Sequence, residues 1–166
     1  MENKFKGRVL KFEDNVDTDV IYPGKYLPIL DEKEMGKYAF TGISEDFPKT
    51  IKHGDIIVAG KNFGCGSSRE QAATCLKSAG IAAIVAKSFS RIYFRNAINQ
   101  GIPIITCSMD IEKIANHEEI ELDFEKGKIH SKAGTFDFPP LPEYVLSILK
   151  DGGLIEHVRK ELKTGK

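Results

Sequence analysis

The sequence predicts an α/β fold built on a small mixed sheet, and three observations predict it. From residue 54 onward, short apolar runs alternate with helical periodicity in the order β-loop-α-β-α-β. The middle run, Ile81-Ala82-Ala83-Ile84-Val85-Ala86, is apolar throughout, which suits a strand covered on both faces of a parallel sheet with right-handed crossovers. Further on, residues 119–124 and 128–131 flank Glu125-Lys126-Gly127, a hairpin signal that adds antiparallel strands.

Taken in order, Arg8-Val9-Leu10-Lys11-Phe12 alternates β-formers with charge and predicts a first strand. The acidic segment Asp14-Asn15-Val16-Asp17-Thr18-Asp19 interrupts it as a loop. Counted from Asp14, the sixth and twelfth positions are Asp19 and Lys25 where a calcium loop needs Gly and Glu, so an Asx-rich turn is the better reading. Pro23-Gly24 marks a turn, Pro28 opposes a helix through residues 25–30, and residues 31–39 allow one short helix. The remainder up to Thr50, broken by Gly42 and Pro48, reads as a mobile excursion of the kind that serves as a lid or a packed surface loop. A strand over residues 55–59 leads through a glycine loop, residues 60–66, into an Ala-rich helix over 68–78. Strand 81–86, helix 90–99 and strand 102–106 follow, with Gly80 and Gly101 placed as left-handed helix ends. Residues 134–138 add a third antiparallel strand, a helix runs from Pro142 through Lys150, and Leu154, Ile155, Val158 and Leu162 mark a last amphipathic helix ahead of a frayed end at 163–166.

At 166 residues the chain suits one domain, residues 1–166. Lys plus Arg and Asp plus Glu both total 24, so no excess positive field exists to hold nucleic acid. No apolar run approaches the roughly 20 residues of a bilayer span and the first residues carry no apolar leader, so a cytoplasmic protein is expected, with no membrane partner. Cys65, Cys75 and Cys107 form neither a disulfide frame nor a metal knuckle, so no metal site is expected on this chain. His53, His117, His130 and His157 lie in polar segments and read as solvated.

Gly60-Lys61-Asn62-Phe63-Gly64-Cys65-Gly66-Ser67-Ser68-Arg69-Glu70 is the most informative segment. It leaves the carboxyl end of a strand and enters a helix, where open α/β sheets place ligands and where unpaired N–H groups favour an anion. It matches no dinucleotide GxGxxG, P-loop or GxSxG elbow. Two serines and an arginine remain, the arginine offering a fork matched to a carboxylate. The residues alone leave two readings open: an anion-binding site, or a helix cap by Ser67 or Ser68 with Glu70 or Gln71 closing a capping box.

The chain resembles the small subunits of the aconitase-family hydro-lyases, nearest to the isopropylmalate isomerase (dehydratase) branch and its homoaconitase-like relatives. The residues that carry the resemblance are Gly64-Cys65-Gly66-Ser67-Ser68-Arg69-Glu70 and Ala86-Lys87-Ser88-Phe89-Ser90-Arg91-Ile92 with Arg95-Asn96 and Gly101. Upstream, Asp14-Asn15-Val16-Asp17-Thr18-Asp19, Pro23-Gly24 and Tyr26-Leu27 belong to the same pattern. The resemblance implies a swivelling β/β/α domain, like the fourth domain of aconitase, that completes an active site on a large partner subunit. That partner would carry the [4Fe-4S] cluster, this chain none.

It further implies that Ser67 is the catalytic base, taking a proton from the carbon next to a carboxylate while iron polarises the leaving hydroxyl. Ser68, Arg69 and Asp19 would bind substrate, Asp19 as a further polar group of the site. Lys87 and Arg91 are expected to tie the motif loop to the helix cap, and Tyr93, Phe94, Ala97 and Ile98 to be core. Substrate choice in the family is assigned to the loop after the Pro-Gly turn, here Tyr26, Leu27, Pro28 and Ile29. Tricarboxylate-acting relatives carry an arginine there and this chain has none from Tyr22 to Leu30, which argues for an apolar substituent and hence for isopropylmalate and leucine biosynthesis. A dimethylmalate dehydratase or homoaconitase-type subunit, and a non-catalytic anion-binding module, are the alternatives.

Overall fold

The computed structural model describes residues 2–165. Seven strands, β1 Lys4–Lys11, β2 Ile56–Ala59, β3 Ala83–Ala86, β4 Ile104–Thr106, β5 Glu119–Asp123, β6 Lys128–Ser131 and β7 Gly134–Asp137, form one mixed sheet in the order β4-β3-β2-β1-β5-β6-β7. Strand β1 joins the two halves: Val9 to Lys11 pair in parallel with β2, and Lys4 to Arg8 pair antiparallel with β5. The first strand is thus longer than the 8–12 predicted, because its amino-terminal half serves the hairpin sheet rather than the parallel one.

Within the parallel half, successive side chains enter different cores, as a two-residue repeat requires. Leu10, Ile57, Ala59, Ile84, Ala86 and Ile104 pack under the helices α3 (Gln71–Ser78) and α4 (Arg91–Asn99). Val9, Ile56, Val58, Ala83, Val85 and Ile105 pack on the other face against Leu122, Ile129 and Phe136, so β5, β6 and β7 curl over as a second β layer. This β/β/α layering explains why the central runs are apolar at every position. Gly80 and Gly101 close α3 and α4 with φ of +91° and +83°.

The excursion after the Pro-Gly turn is packed rather than mobile. It holds α2 (Glu32–Met35) and single helical turns at Gly36–Tyr38 and Phe47–Thr50. Phe40 is fully buried, donates its N–H to the Ile21 carbonyl at 2.7 Å and stacks on Phe12 at 4.5 Å. The apolar residues scattered through the stretch are spent on this anchorage.

The C-terminal helices α5 (Glu143–Lys150) and α6 (Leu154–Thr164) pack beside α4. Helix α6 runs through Lys163, where fraying was expected; Lys166 lies outside the described residues. Its apolar stripe is not core, since Ile155, Val158 and Leu162 are all exposed. His157 is its buried residue, with Nδ1 2.7 Å from Asp151 and Nε2 3.3 Å from Glu161, which corrects the expectation of a solvated histidine. No described helix is long and apolar enough to cross a membrane.

Candidate active site

Beyond the carboxyl ends of β1, β2 and β3 the chain continues as three irregular segments that stay side by side through single parallel bridges, Asp17 with Cys65 and Phe63 with Phe89. The acidic segment supplies caps, as an Asx turn should. Asp14 Oδ1 accepts the Lys61 N–H at 2.7 Å, and Asp17 Oδ1 accepts the Asp19 N–H at 2.7 Å to start α1 (Thr18–Ile21). The expected loop therefore ends one turn early, because Asp17 is a helix cap. Along the bridges, Gly64 N–H donates to the Val16 carbonyl and Thr18 N–H to the Cys65 carbonyl, both at 2.8 Å.

Two glycines permit this approach. Gly64 and Gly66 have φ of +80° and +91°, and a β-carbon on them would lie 2.2 Å from the Tyr93 ring and 2.4 Å from Asp17 Oδ2. The glycine loop is thereby pressed against α4 and the acidic segment, and the chain emerges with Ser67, Ser68 and Arg69 facing outward. These three line a cavity of about 200 Å³ together with Thr18, Ser90, Arg91, Ile92, Tyr93 and Asn96.

Helix α3 begins at Gln71, three residues later than predicted, and no side chain caps it. The Ser67 and Ser68 hydroxyls have no hydrogen-bond partner among the described residues. Glu70 accepts from Gln100 Nε2 at 2.6 Å instead of reaching back as a capping box would. The N–H groups of residues 66–71 also have no partner among the described residues, and Gly66, Ser67, Ser68 and Arg69 of that run border the cavity. Ser67 is held through its carbonyl, which accepts from the buried Thr18 hydroxyl at 2.8 Å, leaving its side chain free.

Arg69 is oriented from behind. Its Nη1 donates to Asp19 Oδ1 at 2.7 Å and to the Tyr22 carbonyl at 3.1 Å, while Asp19 also accepts the Gly24 N–H at 3.0 Å. The Arg69 hydrogen bond, aided by that of Gly24, holds the Asp19 carboxyl below its ordinary range. Asp19 thus stands behind the arginine rather than on the cavity wall.

The loop residues Tyr26, Leu27, Pro28 and Ile29 do not line this cavity. Tyr26 stacks on Tyr38 at 4.2 Å, Leu27 and Ile29 pack on the core, and Pro28 is exposed. The root of the loop does reach the site, with the Gly24 β position 3.3 Å from Arg69 Nη2. Lys87 is drawn away to Glu112 at 2.7 Å, in another cavity of about 310 Å³, and does not tie the motif loop to the cap; that is done by Ser88 and Ser90. Ser88 Oγ accepts from Asn62 N–H at 2.8 Å, and Ser90 Oγ donates to the Gly64 carbonyl at 2.9 Å. Arg91 is not tied either and lines the cavity.

Sequence reasoning missed Thr18 and gave Asn96 no role. Both stand in the motifs already singled out, and their place became visible only when three distant segments met. Tyr93, Ala97 and Ile98 are buried as expected, and Tyr93 also forms cavity wall, its hydroxyl donating to the Ala72 carbonyl at 2.9 Å.

The cysteines are poor ligands and nucleophiles. Burial pushes the Cys75 and Cys107 thiols up, and burial with the Asp17 carboxylate does the same to Cys65. Cys75 and Cys107 are core residues, whereas Cys65 is half-buried. Among the described residues no group of three or more His, Cys, Asp or Glu is placed to hold a metal ion.

Known proteins resemble the chain in sequence and in fold. The Aconitase C-terminal domain family matches residues 4–109. The chain is 48% identical to the 3-isopropylmalate dehydratase small subunit of Methanosarcina mazei, over 93% of this chain and 96% of the relative. It is 47% identical to the methanogen homoaconitase small subunit of Methanothermobacter thermautotrophicus, over 99% and 96% of the two chains. The crystal structure of 3-isopropylmalate dehydratase from Methanocaldococcus jannaschii superposes with a TM-score of 0.91 at 43% identity, covering 98% of this chain and 97% of that one.

Proposed function

From the premise that the chain belongs to the aconitase C-terminal domain family, we propose that it is the small subunit of a hydro-lyase that interconverts 2- and 3-isopropylmalate by loss and re-addition of water, in leucine biosynthesis. It acts as one swivel-type domain against a large subunit, and the iron–sulfur cluster belongs to that subunit. The observation that carries this reading is the free Ser67 hydroxyl set among unpaired main-chain donors on one cavity wall with Ser68 and Arg69.

The chemistry follows from these groups. A serine hydroxyl accepts a carbon-bound proton only if its alkoxide form is stabilised. The amino end of α3 and the Arg69 guanidinium offer that stabilisation, the guanidinium already oriented by Asp19 and the Tyr22 carbonyl. Ser67 takes the proton from the carbon next to the carboxylate; when water re-adds, the hydroxyl goes to that carbon and Ser67 returns a proton to the carbon that lost the hydroxyl. Ser68 and the adjoining amides hold that carboxylate. Arg69 clamps it through Nε and Nη2, since Asp19 and the Tyr22 carbonyl engage Nη1 alone.

An apolar substituent is the reading because residues 22–30, which reach the site only at their root beside Gly24, contain no arginine to meet a third carboxylate, and Lys25 sits over the Tyr26 ring at 5.1 Å. A homoaconitase-type substrate is the second reading, favoured by the likeness to the Methanothermobacter subunit. The test is to purify the chain with its cognate large subunit and compare turnover of isopropylmalate, dimethylmalate and homocitrate. Highest kcat/KM on isopropylmalate is expected. Preference for homocitrate overturns the loop argument, and full turnover by the chain alone overturns the division of the site between subunits.

A further inference from the structure

Resting on that reading and extending it, we propose that Arg91 binds the second carboxylate of the hydroxy diacid and so determines the preference for diacids over mono-acids. Of the cations in the two motif segments, Lys61, Arg69, Lys87 and Arg91, only Arg69 and Arg91 line the cavity, and Arg69 is assigned to the first carboxylate. Lys87 pairs with Glu112, and Arg69 is held by Asp19 and the Tyr22 carbonyl. Arg91 lines the cavity that holds Ser67 and Ser68, is exposed, and has no hydrogen-bond or ion-pair partner among the described residues.

Its position is also electrostatically unfavourable without an anion. Arg91 is the first residue of the nine-residue α4, at the positive end of the helix dipole, and the first turn contains no acid. The Ser90 hydroxyl is already committed to the Tyr93 N–H and the Gly64 carbonyl. Asp17, the acid beneath Gly66, accepts from the Asp19 N–H and belongs to α1. A diacid whose first carboxylate lies on the α3 wall has its second anion to place, and Arg91 is the unengaged guanidinium on the α4 wall of the same cavity. Neutral Asn96, further along α4, borders the same wall and adds no competing charge.

The test uses the enzyme reconstituted with its large subunit, and compares 2-isopropylmalate with its monoamide at the carboxylate on the hydroxyl-bearing carbon, the one not next to the carbon that Ser67 deprotonates. Arg91→Gln should raise KM for the diacid about 10- to 100-fold, the range for loss of a charged hydrogen bond, with a smaller change in kcat. It should leave inhibition by the monoamide within a few-fold, so that discrimination between the two collapses. Arg91→Lys should recover part of the loss, since it restores the charge without the fork. An unchanged KM in Arg91→Gln, or an equal loss for diacid and monoamide, overturns the proposal. If the wild-type complex turns over no hydroxy diacid, it is the functional reading beneath the proposal that fails.

Discussion

The two turns that leave β2 and β3 are built from similar residues and do opposite things. After β3, Ser90 accepts the Tyr93 N–H at 3.2 Å and closes the amino end of α4 in the ordinary way. After β2, two serines precede α3 and neither closes it, although either could have done so. The difference lies in what the glycines permit. Gly64 and Gly66 take left-handed conformations that turn the chain outward before the helix begins, so that residues 66–71 keep their N–H groups free. One turn completes a helix; the other leaves it incomplete where a ligand would complete it.

That contrast can be broken by exchanging the roles of the serines. Ser67→Ala should lower kcat of the reconstituted enzyme by about 10²- to 10⁴-fold, the usual value of a proton-transfer group, while the melting temperature of the chain stays unchanged. Gly64→Ala should come next. A β-carbon 2.2 Å from the Tyr93 ring adds overpacking to the strain of φ +80°, and together they should cost about 3 kcal/mol in denaturant unfolding. Ser90→Ala should do the reverse of Ser67→Ala, destabilising the chain by about 1 to 2 kcal/mol through loss of the cap while sparing most of kcat. If Ser67→Ala destabilises like Ser90→Ala, the two turns are alike and the comparison fails.

The smallest effect is the one that sharpens the picture of Arg69. Its bond to Asp19 holds that carboxyl below the ordinary range, so the pair contributes above that range and is lost as pH falls through the depressed value. With Arg69 only 18% exposed but Asp19 64% exposed, the gain in stability is slight and is screened by salt. A carbon-detected NMR titration should therefore place the Asp19 carboxyl below the other exposed aspartates, and Arg69→Gln should return it to their range.

Much of this was legible in the residues. The strand and helix order after residue 54, the Asx role of Asp14 and Asp17, and the left-handed ends at Gly80 and Gly101 follow from pattern and local stereochemistry. What was not legible depended on distant partners. The packing of the 31–50 excursion rests on Phe12 and Phe40 meeting across 28 positions, and the burial of His157 on its bond to Asp151. The exposed stripe of α6 misled because amphipathic periodicity reports a face and not what covers it. In the site, Ser67, Ser68 and Arg69 were named from one motif, but Asp19 acting behind Arg69, Thr18 holding the Ser67 carbonyl, and the separation of Lys87 from Arg91 required three segments to be seen together.

The central claim is that the Ser67 hydroxyl moves the carbon-bound proton. The most direct measurement is incorporation of solvent deuterium at the carbon next to the substrate carboxylate, followed in the reconstituted complex with and without Ser67→Ala. Incorporation in the wild-type complex, and its loss in Ser67→Ala with substrate Kd unchanged within a few-fold, is the predicted result. Undiminished incorporation in Ser67→Ala would contradict it, leaving residue 67 as structure alone.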